Sequence, residues 1–286
     1  MILGTTILKS AKLAPALIMS AVSIAASVMP AQTPRDRAWA ILEAGAGNNS
    51  VDQRVATMSA LQLIPRDDKA LKLAENGLQD KNHEVRSAAA LTLGAMGAKS
   101  AIPQLKDVIA NDKDGTVVIA AAKALIQLGD ESGYDVYYAV ITGQQKSGAG
   151  LVADQKKQLS DMMAHPQQME KMAFETGIGF LPFGGIGLAG IQSVQASKSK
   201  GPILKAASIR ALATDQDPRT EKAIVAAISD ESPLVRAAAY DALARRGHAA
   251  VLPSLTAGLD DQKVEVKLTA AAAVVYLSTV SNKEEK

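Results

Sequence analysis

The chain repeats itself, and this repetition limits the folds that it can adopt. Four segments align with one another: VDQRVATMSALQL (51–63), EVRSAAALTLGAMG (84–97), LVRAAAYDALARRG (234–247) and VEVKLTAAAAVVYL (264–277). Looser copies lie at VVIAAAKALIQLG (117–129) and ILKAASIRALA (203–213). A second helical pattern precedes each copy, so the unit is two helices and a tight turn in about 31 residues. This pattern predicts an all-α fold, an α-solenoid of about six units.

One position in each copy sets the register of the repeats. It is occupied by Arg54, Arg86, Val118, Lys205, Arg236 and Lys267, which are separated by 32, 32, 87, 31 and 31 residues. An acid lies six residues before this position in four copies, at Asp80, Asp112, Asp230 and Asp261. Apolar residues recur every three or four positions, as at Val85, Ala88, Ala89, Leu93 and Met96, and therefore share one helix face.

The Asp-x5-Arg spacing, the Ala-Ala pair after the basic residue and the Leu-Gly ending resemble HEAT repeats. They are most similar to the short HEAT-like repeats of the phycobilin lyase group, over residues 36–143 and 200–280. The resemblance implies an armadillo-like superhelix in which acid and base form a hydrogen-bonded ladder between adjacent turns. The ladder residues are then Asp80, Arg86, Asp112, Asp230, Arg236, Asp261 and Lys267. Val118 replaces the base in the third copy, so we expect an interruption there.

The long interval between Val118 and Lys205 contains an insertion of 56 residues, 144–199. It interrupts the turn between a first helix at 131–143 and a second helix that starts at Gly201. Repeat proteins often carry insertions on the binding face. The predicted organisation is therefore a signal peptide (1–31), N-terminal repeats (32–143), the insertion (144–199), C-terminal repeats (200–280) and a charged tail (281–286).

The insertion combines Met-rich helical patterns with a Gly/Phe-rich loop, GIGFLPFGGIGLAG (177–190). The three phenylalanines of the chain, Phe174, Phe180 and Phe183, lie in or just before this loop. The loop can fold over an apolar groove of the array, because glycine permits close backbone approach. It can instead be exposed and contact a partner through these phenylalanines. Shallow membrane insertion of residues 177–191 is the third alternative.

Two tyrosines lie on the helix before the insertion. Tyr134 and Tyr138 are four residues apart and share one helix face. They are candidate partner contacts beside the insertion, because tyrosine is well suited to surfaces that are partly apolar and partly wet. Packing in the core is the alternative.

The N-terminus is typical of an export signal. Lys9 and Lys12 precede an apolar stretch at 13–29, and no further charge occurs before Arg35. This predicts a cleaved signal peptide and a periplasmic or secreted protein, with an uncleaved inner-membrane anchor as the alternative. Removing residues 1–31 leaves 29 basic and 29 acidic residues, and this neutral balance gives no reason to expect nucleic acid as a partner.

Residues that could carry chemistry are few. The chain has no cysteine and only three histidines, His83, His165 and His248. His83-Glu84 resembles one His-Glu pair of the HEAT-like dinuclear iron hydroxylases that act on deoxyhypusine, but no second pair follows at repeat spacing. We therefore predict no cofactor and a scaffold that binds another protein through its concave face or the insertion. Lyase-like or enzyme-accessory activity is the alternative.

Overall fold

A computed structural model describes residues 32–142 and 200–284 of the chain. These residues form twelve α-helices and no strand. The helices are α1 (Pro34–Ala46), α2 (Val51–Leu61), α3 (Asp68–Gly77), α4 (His83–Ala95), α5 (Ile102–Asn111), α6 (Gly115–Gln127), α7 (Ser132–Thr142), α8 (Lys200–Ala211), α9 (Pro218–Ala227), α10 (Pro233–Arg246), α11 (Leu252–Leu255) and α12 (Val264–Glu284). Short 3₁₀ turns lie at Lys99–Ala101, Ala249–Val251 and Thr256–Asp260.

Several sequence predictions fall outside the described residues. These are the signal peptide at 1–31, the insertion at 144–199 and its candidate contacts Phe174, Phe180 and Phe183. At the other end, the predicted charged tail at 281–286 is in part helical, because α12 continues to Glu284.

Local sequence explains where the helices begin and end. Side chains cap their first turns: Thr33 and Asp36 form a capping box at α1, and Asn82 accepts from the Glu84 amide at α4. Three second helices end at Gly97, Gly129 and Gly247, which have φ of 70°, 82° and 73°. Only glycine adopts this left-handed conformation without strain, so the Leu-Gly ending of the repeat stops the helix.

Helix pairs stack into an array, as the repeat predicts. First helices pack on the second helices that follow them, as α3 on α4 and α5 on α6, and successive second helices pack side by side. Small residues bring these second helices close together. A Cβ added to Gly94 in α4 would lie 2.8 Å from the Ala124 Cα of α6. The fold is therefore an all-α solenoid with a tightly packed inner layer.

The first and last helices of the described chain also pack together. Helix α12 contacts both α1 and α2, and we call this contact the terminal junction. A Cβ added to Gly45 of α1 would lie 2.3 Å from Thr57 Oγ1 and 2.9 Å from Leu268 Cδ2. Arg37 of α1 pairs with Asp260, just before α12. In space, the array therefore runs from α8 to α12, crosses the terminal junction, and continues from α1 to α7.

This order separates two helices that the sequence assigns to one repeat. The sequence predicts α7 and α8 as the first and second helix of the interrupted unit. In the structure α7 packs on α6 and α8 packs on α10, and the two do not pack as a pair. The prediction is wrong because the terminal junction, and not the chain order, determines which repeats are neighbours. Helices α7 and α8 are the two ends of the described array.

Helix α12 occupies the middle of this array. Its segment Val264–Ser281 is long and apolar enough to span a membrane, with a mean hydropathy of 1.3, and half of it is buried inside the protein. It is the one such helix in the described part of the chain. Ala270–Val275 have no exposed surface. The apolar composition of α12 is accounted for by packing against α10 on one side and the terminal junction on the other.

Candidate interaction surface

Arginines and aspartates of the predicted ladder join successive repeats. Arg86 Nε and Nη2 donate to the two carboxylate oxygens of Asp112 at 2.6 and 2.9 Å, and Arg54 makes the same pair with Asp80 at 2.7 and 2.9 Å. The Arg86 Nη1 also donates to the Asp80 carbonyl oxygen at 2.9 Å. Each guanidinium therefore binds the aspartate of the next repeat in bidentate geometry. It also binds a carbonyl oxygen in the turn before its own helix.

The ladder continues in the C-terminal half. Arg236 donates to both carboxylate oxygens of Asp261 at 2.7 and 2.9 Å, and Lys205 pairs with Asp230. Lys267 contributes to a lowered pKa of Asp261, after the larger contribution of the Arg236 hydrogen bond. The sequence-based assignment omitted Arg54, although the aspartate 26 residues after it would have identified it. Val118, where we expect the interruption, is buried in an apolar cluster.

The acidic and basic side chains of the ladder are paired and stay ionised. Burial raises the pKa of the Asp112 carboxyl, but hydrogen bonds from Arg86 and the Asp114 amide outweigh it, and the pKa lies below its ordinary value. Lys106 and Ser132 lower the pKa of Asp130 to about 2. These groups stay ionised and engaged at neutral pH, which suits a structural role better than proton transfer.

A buried arginine that sequence reasoning missed ties α10 to the turn between α8 and α9. The Arg246 side chain is 1% exposed and lies 3.4 Å from Glu221 Oε2, and it also donates to the Asp215 carbonyl oxygen. His248 Nδ1 pairs with the same Glu221 carboxylate. The equivalent positions in two other repeats are occupied by the apolar residues Met96 and Leu128. An arginine at an otherwise apolar position was therefore the sequence feature that could have identified Arg246.

Exposed large apolar side chains mark the two ends of the array. Four are found in the described residues: Tyr134 (48% exposed), Tyr138 (63%), Leu204 (44%) and Leu212 (44%). The tyrosines are one turn apart on α7, and the leucines are two turns apart, on α8 and just after its last residue. Of the two interpretations of Tyr134 and Tyr138, exposure on the surface is therefore correct and burial in the core is not.

The surfaces around these side chains differ in charge. One side of α7, including the residue just before the helix, is formed by exposed residues: Glu131, Tyr134, Asp135 and Tyr138. We call this side the α7 face. Leu204, Ser208, Ala211 and Leu212 form the α8 face. The α7 face contains only acidic charges, whereas Lys205 and Arg210 flank the α8 face and α8 has no acid.

The second helices offer less surface than the sequence suggests. We expected them to line a concave contact face, but their central turns in α4 and α12 are buried. Ala88–Leu93 and Ala270–Val275 are each at most 8% exposed. The alanine-rich helices pack too closely for an exposed inner face at these turns, and contact through the concave face stays a prediction. Within 32–142 and 200–284, no group of three or more side chains could hold a metal ion.

The stacked helix pairs and the ladder define an α-solenoid repeat protein. A family model described as HEAT repeats matches residues 35–132 and 194–275. The chain belongs to the HEAT-repeat family. The finer resemblance to the phycobilin lyase group stays a prediction.

Similarity to individual proteins is weak. Human deoxyhypusine hydroxylase, solved in complex with glycerol, shares 17% identity, with 86% of this chain and 97% of that chain covered and a TM-score of 0.34. This TM-score is too low to support an inference about function. A search of curated proteins found no match.

Proposed function

We propose that this chain is a scaffold that binds another protein, and that the α7 face is a principal contact surface. The exposure of Tyr134 and Tyr138 on adjacent turns carries this proposal. Tyrosine is enriched in protein interfaces, where its ring supplies apolar area and its hydroxyl finds a polar partner. Neighbouring aromatic side chains of this kind are frequent sites of high binding energy.

The support beneath the α7 face suits a binding surface. On its inner side α7 packs against α6, where Val136 is buried with Val118, Ile119 and Ala122. Tyr137 is partly buried in the same contact, and this burial raises the pKa of its hydroxyl. The helix that presents the exposed tyrosines is thereby fixed, so that little conformational entropy is lost when a partner binds.

The test is a comparison of captured partners. Purified full chain and a Tyr134→Ser/Tyr138→Ser variant would each be exposed to envelope extract, with circular dichroism and melting as checks of folding. Gln104→Ser/Ala110→Ser is the matched control, because it changes two exposed residues of another first helix, α5. We expect a partner to be lost only from the tyrosine variant. Identical capture by all three proteins would contradict the proposal.

We also propose that the protein is exported. The support is the sequence pattern alone: Lys9 and Lys12 before an apolar stretch at 13–29. Fusion of residues 1–31 to a reporter should send it across the inner membrane, and the mass of the purified protein should reveal removal of this segment. A reporter that stays in the cytoplasm would contradict export, whereas translocation with the segment retained would indicate an anchor.

A further inference from the structure

We propose that a cavity between the start of α3 and the end of α4 binds one aromatic side chain of a partner protein. We call it the α3–α4 cavity, and its volume is about 200 Å³. It shares no residue with the α7 face. The proposal rests on the proposed function, because it gives the scaffold a second contact for a protein partner.

The size of the α3–α4 cavity suits a side chain better than a metabolite. Pockets that bind small molecules usually enclose about 300 to 1,000 Å³. An apolar cavity of about 150 Å³ is large enough for a benzene ring. At about 200 Å³, the α3–α4 cavity therefore has room for one ring, and the rest of its ligand must lie on the surface outside. An aromatic side chain presented by a partner protein meets this condition.

The walls of the cavity favour an aromatic ring over an aliphatic side chain. Met96 and Ala98 are buried, Leu71 is partly buried, and the three form an apolar wall. Methionine sulfur makes favourable contacts with aromatic rings. Arg66 and Lys99 are exposed where they line the cavity, and their cations attract the face of an aromatic ring. An aliphatic side chain would gain neither contact.

The apolar wall is a feature of one repeat and not of the fold. Its three residues correspond to three polar residues in the repeat 150 positions later: Arg246, Glu221 and His248. There the side chains contact one another, since Arg246 lies 3.4 Å from Glu221 and His248 pairs with the same carboxylate. The same place in the fold is therefore closed by charged groups in one half of the chain and is an apolar cavity in the other.

The turn that borders the cavity contains a strained residue. Arg66 has a φ of 68°, and it is the one residue other than glycine with a positive φ in 32–142 and 200–284. Glycine adopts this conformation freely, whereas a bulky side chain makes it unfavourable. Backbone outliers of this kind cluster at sites that bind ligands. A contact between the Arg66 guanidinium and a bound ring accounts for arginine at this position.

The experiment follows the methyl NMR signals of Met96 and Leu71 in the full chain while N-acetyl-phenylalaninamide is added. We expect both signals to shift and to saturate with a Kd of about 1 mM, which is ordinary for a ligand of this size. N-acetyl-leucinamide should bind about fivefold more weakly, because it lacks the ring that contacts sulfur and cations.

Two variants test the cavity, with circular dichroism and melting as checks of folding. Ala98→Leu fills the cavity and should abolish the saturable shifts, whereas Ala95→Leu adds the same volume at an exposed position of α4 and should leave them unchanged. Arg66→Gly relieves the backbone strain and removes a cation. It should weaken binding of the aromatic probe about threefold without lowering the Tm, a combination that a purely structural role of Arg66 would not produce.

The same variants connect the cavity to a protein partner. Exposed to envelope extract, Ala98→Leu should lose a partner that the unmodified chain and Ala95→Leu both retain. Binding of the probe together with unchanged capture by Ala98→Leu would show that the cavity takes a small aromatic molecule, and the proposed protein partner would be wrong.

Other outcomes would overturn the proposal outright. These are the absence of saturable shifts with the aromatic probe, equal shifts in Ala98→Leu, or tighter binding of N-acetyl-leucinamide. Met96 signals that shift with protein concentration alone would identify a second copy as the occupant. If the probe does not bind but Tyr134→Ser/Tyr138→Ser loses an envelope partner, the cavity is not a binding site and the proposed function stands. If the probe binds and capture depends on Ala98 but not on the tyrosines, the α7 face is wrong and the cavity stands.

Discussion

At the scale of single residues, the ladder arginines join one repeat to the next through paired hydrogen bonds. Arg86 makes two bonds to Asp112 in the next turn and one to the Asp80 carbonyl oxygen in its own turn. Both members of the Arg86–Asp112 pair are largely buried. Removal of Arg86 would deprive the buried Asp112 carboxylate of its bidentate partner, which costs more than the pair itself contributes.

We predict that Arg86→Met lowers the free energy of unfolding by about 3 kcal/mol, because the Asp112 carboxylate loses its bidentate arginine partner. Urea denaturation measures this change. The double variant Arg86→Met/Asp112→Asn should cost clearly less than the sum of the two single variants, since no unpaired charge remains. Strictly additive losses would contradict the ladder as described.

The same pairs predict a dependence of stability on pH. The pKa values of Asp80, Asp112 and Asp261 are lower in the folded protein than the value of about 3.9 in an unfolded chain. Their contribution is therefore complete above about pH 5 and is lost as the pH falls through the lowered values. Denaturation at a series of pH values should show this loss, with a shallower slope for Arg86→Met/Asp112→Asn. Stability that increases on acidification would contradict it.

The sequence identifies some residues better than others for a physical reason. Asp112 and Arg86 recur at a fixed spacing because every turn needs the same pair of groups, so they are visible without a structure. Arg246 occurs at its position in one repeat only, and its carbonyl partners leave no mark in the sequence. The exposure of Tyr138 likewise depends on the order in which the helices pack, and the repeat spacing does not record that order.

At the scale of helices, small residues determine how closely the repeats approach. Gly94 in α4 and Ala124 in α6 illustrate this: a Cβ on Gly94 would lie 2.8 Å from a backbone atom, which cannot turn aside as a side chain can. The sequence shows alanine-rich second helices and hence close packing. It does not show that α7 and α8 separate, because repeat spacing counts positions along the chain and carries no information on which ends meet.

We predict that Gly94→Ala destabilises the protein by about 1 to 3 kcal/mol, since the α4 and α6 backbones must move apart. Gly47→Ala is the control, because the nearest atom to its added Cβ is 3.7 Å away. Thermal denaturation should show a lower Tm for the Gly94 variant only. Equal Tm values for the two variants would contradict the close approach of α4 and α6.

At the scale of the whole molecule, the terminal junction makes one array of two halves. It places α12 before α2 in the order of second helices. Asn48 then occupies the ladder position that faces the preceding repeat: its Oδ1 accepts from the Ser50 amide at 2.9 Å, as Asp80 accepts from the Asn82 amide at 2.8 Å. The ladder base of that preceding repeat is Lys267, and Asn48 offers it no charge.

We predict that Asn48→Asp stabilises the protein by up to about 1 kcal/mol, because it provides an acid for Lys267 across the terminal junction. Asn49→Asp, one position further and exposed, is the control for the added charge. Denaturation at neutral pH measures the gain, which should disappear in acid. A gain no larger than that of the control would argue against continuity of the ladder at the junction.

The order of the array is tested most directly by cutting the chain between its halves. A protease site would be placed within residues 144–199 of the full chain, and the folded protein would be cleaved and its native mass measured at about 1 µM, where only a tight contact persists. We expect both halves to remain in one particle of unchanged mass, and Leu268→Asp to release them after cleavage. Separation of the halves of the unmodified protein would contradict an array held together by α12, α1 and α2.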